Sequence, residues 1–148
     1  MKHEQLTGKI IEIFYDVYNE LGHGFLESVY ENSMRLALSQ AGLFVPPKRQ
    51  LDVWFRGVIV GTFEPDVTVE NLAILEIKAA RGIDPAHEAQ LLNYLRATEI
   101  EVGLLLNFGP KPEFKRMVFD NERKRTRSPG IGRQAEPRID ADDTDRQS

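Results

Sequence analysis

The chain has 148 residues, a formal net charge of −4 and no cysteine. That length can bury a core without disulfides or a structural metal, and the missing thiols exclude thiolate zinc sites, a disulfide framework and a thiol nucleophile. The acidic balance argues against a protein that coats duplex phosphates with Lys and Arg, although carboxylates gathered around a divalent cation also make a chain acidic.

From Gln5 to Leu21, Ile10, Ile11, Phe14, Val17, Tyr18 and Leu21 recur at three- and four-residue steps, the buried face of an amphipathic helix that Gly22-His23-Gly24 ends. A second helix is expected from Leu26 to Ala41, with Gly42 closing it. Beyond Pro46-Pro47 the pattern changes to short strands: Gln50 to Phe55, Val58 to Phe63 after an Arg56-Gly57 turn, and two segments around Glu70-Asn71, together an antiparallel meander. Asp84-Pro85 opens a third helix to about Thr98, since Asp caps free amides and Pro has no donor to leave unpaired. Val102 to Phe108 reads as a strand buried on both faces. The expected organisation is one α/β (α+β) domain over 1–119 and a disordered charged tail over 120–148, whose run Arg123-Lys124-Arg125-Thr126-Arg127 is read as solvated in preference to a nucleic-acid contact. Nothing near Met1 has the pattern of a signal peptide and no apolar stretch spans a bilayer, so the cytoplasm is the expected compartment and no membrane contact is expected.

Asp66, Glu76 and Lys78 interrupt an otherwise apolar run from Phe63 to Lys78, and such charges call for a metal, a mutual ion pair or an exposed sheet face. Strand parity bears on the choice. A two-residue loop at Glu70-Asn71 would turn Asp66 away from Glu76, whereas a loop of Glu70, Asn71 and Leu72 sets the two directly opposite. The second register gathers Val67, Val69, Ala73, Leu75, Ile77 and Ala79 on one face and Asp66, Thr68, Ile74, Glu76 and Lys78 on the other, with the carboxylate-bearing Cβ atoms about 5 Å apart. Converging carboxylates repel unless a cation lies between them. An oxygen-only site suits Mg²⁺ or Mn²⁺, while Lys78 alone can also supply that charge as an ion-pair cluster. On the third helix His87, Gln90 and Tyr94 share one face. Glu27 and Tyr30 stand near the start of the second.

Gly24-x-x-Glu27-x-x-Tyr30, Pro65-Asp66, Glu76-Ile77-Lys78, His87-Glu88-Ala89-Gln90-Leu91-Leu92-Asn93-Tyr94 and Gly103-Leu104-Leu105-Leu106-Asn107-Phe108-Gly109, in this order, resemble the GxxExxY family, a branch of the PD-(D/E)XK nuclease-like superfamily. The resemblance covers about 10–118 and implies a restriction-endonuclease-like core, a mixed sheet flanked by helices, with Mg²⁺ or Mn²⁺ held by Asp66, Glu76 and the Ile77 carbonyl. It implies Glu27 as an outer or second-metal carboxylate, Lys78 as the group that orients or deprotonates the attacking water, and Gln90 as the side chain steadying Lys78 or the phosphate. Tyr94, His87 and Tyr30 are expected to bind substrate or support the site. The function so implied is metal-dependent hydrolysis of DNA or RNA phosphodiester bonds, by a small domain for which a homodimer or a partner protein is expected. The alternative is a nuclease-like fold serving as a non-catalytic nucleic-acid or protein-binding module, motivated by the acidic balance and the scatter of Lys48, Arg49, Arg56, Arg81 and Arg96. A zinc hydrolase fits less well, because His87-Glu88 lacks a second His at the required spacing.

Overall fold

A computed structural model describes residues 3–124 of the chain. The three- and four-residue spacing near the start closes into helix α1, Glu4–Leu21, with Ile10, Ile13, Phe14 and Val17 buried. Gly22 ends it by donating its N–H to the Tyr18 carbonyl (2.8 Å). Helix α2, Glu27–Gln40, buries Tyr30, Met34 and Leu38. It closes with a paired capping motif, in which Gly42 N–H donates to Ser39 O (3.0 Å) and Leu43 N–H to Leu38 O (3.1 Å).

Strands β1 (Leu51–Phe55) and β2 (Val58–Phe63) form an antiparallel hairpin about Arg56-Gly57. The second sheet holds β3 (Val67–Val69), β4 (Ala73–Lys78), β5 (Val102–Phe108) and β6 (Pro112–Val118), in the order β3-β4-β5-β6. It is mixed, with β3/β4 and β5/β6 antiparallel and β4/β5 parallel. The meander expected from Gln50 onward is therefore divided between two sheets. Glu64-Pro65 marks the break, because proline has no donor for a ladder and restricts the residue before it. Strand β6 was not among the expected elements. Its Glu113, Lys115 and Arg116 mask the alternation, and such charges are common on an edge strand.

Helix α3, Pro85–Ala97, makes the crossover between the parallel strands, and Asp84 Oδ1 accepts from Ala86 N–H (2.9 Å) at its start, as the sequence leads one to expect. The sheet separates two cores. Val67, Val69, Leu75, Ile77, Leu104, Leu106 and Phe108 pack against α1 and α2. Ile74 and Leu105 face the other way, onto Leu91 and Leu95 of α3 and Phe63 of β2. Gly103 sets the depth of α3, since a Cβ there would come within 2.9 Å of the Leu91 side chain.

The segment expected to be disordered from 120 onward begins with order. Asn121–Arg123 form a 3₁₀ turn, Asn121 N–H donates to Glu101 Oε2 (2.7 Å), and Lys124 Nζ donates to the carbonyls of Thr98 (2.8 Å) and Ile100 (2.9 Å). The turn is ordered because it satisfies carbonyls of the connection from α3 to β5. The remainder, with Arg125, Thr126 and Arg127 of the basic run, lies outside the described residues. Among the described residues no helix is long and apolar enough to cross a membrane.

Fully buried Asn107 secures the loop after β4: its Oδ1 accepts from Ala80 N–H (2.9 Å) and its Nδ2 donates to Ala80 O (3.0 Å). The two chains approach closely enough that a Cβ at Gly109 would run into the Ala80 carbonyl oxygen. Asn107→Leu keeps the volume and strands both backbone groups. It is expected to lower the unfolding free energy in urea by about 2–4 kcal/mol.

Candidate metal centre

Strand β3 ends where β4 still has several residues to run. Val67 pairs with Leu75, Thr68 with Ile74 and Val69 with Ala73, so Glu70, Asn71 and Leu72 form the loop and Asp66 lies across from Glu76. This is the register that the apolar alternation favours. Glu70 and Asn71 take left-handed backbone conformations (φ 57° and 55°). They are held there by Glu70 N–H to Phe44 O (2.8 Å), Phe44 N–H to Glu70 Oε2 (2.7 Å) and Arg49 to Asn71 Oδ1 (3.0 Å).

Past the end of β3, the amides on that edge, in β4 and at the residue just after it, have no strand to bond, and carboxylates take its place. Ile77 N–H donates to Asp66 Oδ2 (2.8 Å), and Ala79 N–H donates to Glu27 Oε2 (3.3 Å). Asp66 N–H in turn donates to Glu76 Oε2 (3.3 Å). In a strand a residue's N–H and C=O point to the same side, so the Ile77 carbonyl faces the edge where these acids converge.

Helix α2 brings three charged side chains to this edge. Glu27, Glu31 and Arg35 recur every four residues and so share one face. Arg35 Nη2 donates to Asp66 O (2.7 Å) and Nη1 to Pro46 O (3.2 Å), while its Nε stands 3.7 Å from Glu31. Lys48 Nζ approaches the same Glu31 carboxylate at 3.2 Å. Neither Glu31 nor Arg35 was singled out from the sequence, and Lys48 stood there only as a scattered cation. The four-residue repeat from Glu27 was the available signal.

Electrostatics follow from the crowding. Burial pushes the Glu76 carboxyl up to about 8, and the Asp66 and Glu31 charges add to the shift while the Asp66 amide and Lys78 oppose it. Asp66 is raised as well, first by burial, with Glu31 adding and the Ile77 amide, Lys48 and Lys78 opposing. From α3, Tyr94 stacks on Phe63 (centroids 3.7 Å apart, 10° between planes). Its hydroxyl is raised by burial, then by the charges of Glu76 and Asp66. Asp66, Glu76, Lys78 and Tyr94 therefore share one field.

The other expected residues stand differently. Gln90 is exposed on α3, with no side-chain hydrogen bond among the described residues. His87 is half-buried, and its Nδ1 is shut from solvent without a hydrogen-bond partner. Tyr30 is fully buried against Phe108 (4.3 Å), its hydroxyl donating to Gly22 O (2.6 Å) and accepting from Phe25 N–H (3.3 Å). It is a support that fixes the turn before Glu27. Among the described residues no three His, Asp or Glu side chains are gathered closely enough to hold an ion as they stand. The donor types, carboxylates beside a backbone carbonyl, nonetheless fit a hard divalent cation, which would also offset the burial and the repulsion that raise Glu76.

The model of the PD-(D/E)XK nuclease superfamily matches residues 4–117. The chain belongs to that superfamily. Its three helices about a mixed sheet are the restriction-endonuclease-like arrangement of PD-(D/E)XK proteins. A solved structure, described as the crystal structure of SSO0001, aligns with a TM-score of 0.47 at 16% identity, covering 64% of this chain. The chain spans 50% of the length of that structure. No curated protein matches the chain.

Because the fold raises Glu76 from its ordinary 4.5 to about 8, it favours the neutral acid. The associated stability is fully present below pH 4.5 and is lost as pH rises through about 8. Glu76→Gln should therefore stabilise the metal-free protein at pH 8 by on the order of 2–4 kcal/mol, seen as a higher melting temperature, and change it little near pH 4.5. Thermal melts of both proteins across that range give the comparison.

Proposed function

We propose that the chain is a Mg²⁺- or Mn²⁺-dependent nuclease of the GxxExxY branch, hydrolysing phosphodiester bonds of DNA or RNA in the cytoplasm. The observation that carries this reading is the convergence of Asp66 and Glu76 across the β3/β4 register, with Lys78 on the same strand and Glu76 pushed up to about 8. Asp66, Glu76 and the Ile77 carbonyl would hold the cation, with Glu27 as an outer carboxylate. When bound, such a cation supplies charge neutralisation at the phosphate and lowers the pKa of the attacking water.

Lys78, carried by the same strand as Glu76, orients that water as the ammonium, or as the neutral amine takes up its proton. Gln90, on the exposed face of α3, steadies the phosphate or Lys78. Tyr94 shields the carboxylates from that helix and keeps their surroundings dry, and His87 flanks the approach to them. Arg35 fixes the Asp66 backbone and so the height of the carboxylate above β4. Tyr30 acts through Glu27, by holding the turn between α1 and α2. A homodimer or a partner protein would supply further grip on the nucleic acid.

The second reading, a non-catalytic nucleic-acid or protein-binding module, draws on one observation. The carboxylates of Asp66, Glu76 and Glu27 each accept a backbone N–H, and no tight group of three acids is present among the described residues. Cleavage assays on labelled single- and double-stranded DNA and RNA with Mg²⁺ or Mn²⁺ distinguish the two. Asp66→Ala, Glu76→Ala and Lys78→Ala should each reduce cleavage at least about 100-fold, consistent with losing a group that acts in the transition state. Unchanged metal-dependent cleavage by purified Asp66→Ala or Glu76→Ala protein would rule this mechanism out.

A further inference from the structure

A cleft of about 290 Å³ lies where the turn between α1 and α2 meets the loop after β4, and has no part in the chemistry above. His23 and Phe25 of the turn between α1 and α2 form one wall, Ala79 and Arg81 of the loop after β4 form another, and Phe108 and Pro110 complete it. Ala79, one of its lining residues, also donates its N–H to Glu27 (3.3 Å), which ties the cleft to one carboxylate of the acidic edge. We propose that this cleft receives one unpaired nucleotide of a single strand, its base laid against Phe25 and its phosphate held by Arg81 with His23. The proposal rests on the nuclease reading for its substrate class and goes beyond it in assigning strandedness and a base-binding residue.

Phe25 carries the argument. It is 48% exposed although large aromatic side chains are normally placed in cores, and it is not free to fold away. The Tyr30 hydroxyl accepts its N–H (3.3 Å), and its ring meets Tyr30 at 76° with centroids 6.0 Å apart, so no ring is stacked on it. An exposed aromatic plate is the element by which single-strand binders take any base, and this one lines the same cleft as Ala79, whose N–H is bonded to the Glu27 carboxylate of the proposed site.

Charge and size agree. Arg81 and His23 are exposed on the rim, and neither makes a side-chain hydrogen bond or ion pair among the described residues. In a chain of net charge −4, free cationic and donor groups beside an apolar plate match the phosphate and base of one nucleotide. The volume of 290 Å³ is at the small end of ligand pockets, which suits a single nucleotide and not a duplex. The walls are fixed before any ligand arrives: Asn107 clamps Ala80, and Gly109 O accepts from the Tyr18 hydroxyl (2.7 Å). Little ordering is then required on binding.

The test uses the full chain and fluorescence anisotropy with a labelled single-stranded oligo(dT) and a blunt duplex of equal length, without divalent metal. Phe25→Ala should weaken single-strand binding roughly 5- to 100-fold, the range for losing one base stack, and shift duplex binding far less. Phe25→Trp should retain single-strand binding. Arg81→Ala should weaken it with a shallower dependence on salt. Because Phe25 is exposed, its variants keep the wild-type circular-dichroism spectrum. Single-strand affinity unchanged by Phe25→Ala would overturn the proposal, as would a wild-type protein that binds neither probe. If Phe25→Ala loses the single strand while the wild type cleaves nothing, the cleft stands and the nuclease reading falls; if the wild type cleaves and Phe25→Ala binds normally, the cleft alone falls.

Discussion

Everything at the candidate site depends on β3 being shorter than β4. A strand that outruns its neighbour leaves amide donors on its open edge and just past its end, and these find other partners. Here the partners are carboxylates: Asp66 on the Ile77 amide (2.8 Å) and Glu27 on the Ala79 amide (3.3 Å). Acidic groups are thereby fixed along a strand edge that also presents the Ile77 carbonyl. The same hydrogen bonds that complete the sheet position the oxygens a cation would need.

That arrangement is held from both faces of the sheet. On one side α2 contributes the Arg35 bond to the Asp66 carbonyl (2.7 Å) and the Glu31 carboxylate, balanced by Lys48. On the other, α3 is drawn close at Gly103 and sets Tyr94 in the field of Glu76. Burial and mutual repulsion make the ionised carboxylates a local weakness of the fold. Sites that do chemistry commonly trade stability in this way.

Much of this was legible in the sequence, for identifiable reasons. The alternation from Val67 to Ala79 favours one of two registers, so the placement of Asp66 opposite Glu76 could be read from parity and loop length. Asp84-Pro85 is a local signal with a local cause and marked the start of α3. The division of the meander was not legible in the same way, since β1 and β2 alternate as any hairpin does and their assignment to a separate sheet is decided by tertiary contacts with α3. Strand β6 was hidden by the charges that protect an edge. Arg35 acts through a backbone carbonyl 31 positions away, and periodicity carries no trace of such a bond. Tyr30 was recognised by its spacing, whereas its hydroxyl's bond to Gly22 O, which ties down the turn before Glu27, is visible only in the structure.

The central claim is that burial and crowding keep Glu76 protonated near neutrality until a cation takes the place of its proton. Isothermal titration of Mg²⁺ or Mn²⁺ at pH 7, repeated in buffers of different ionisation enthalpy, counts the protons released per ion bound. With Glu76 at about 8, release of close to one proton is predicted, and Glu76→Gln should abolish it together with most of the affinity. Binding without proton release, or undiminished binding by the Glu76→Gln protein, would contradict the account.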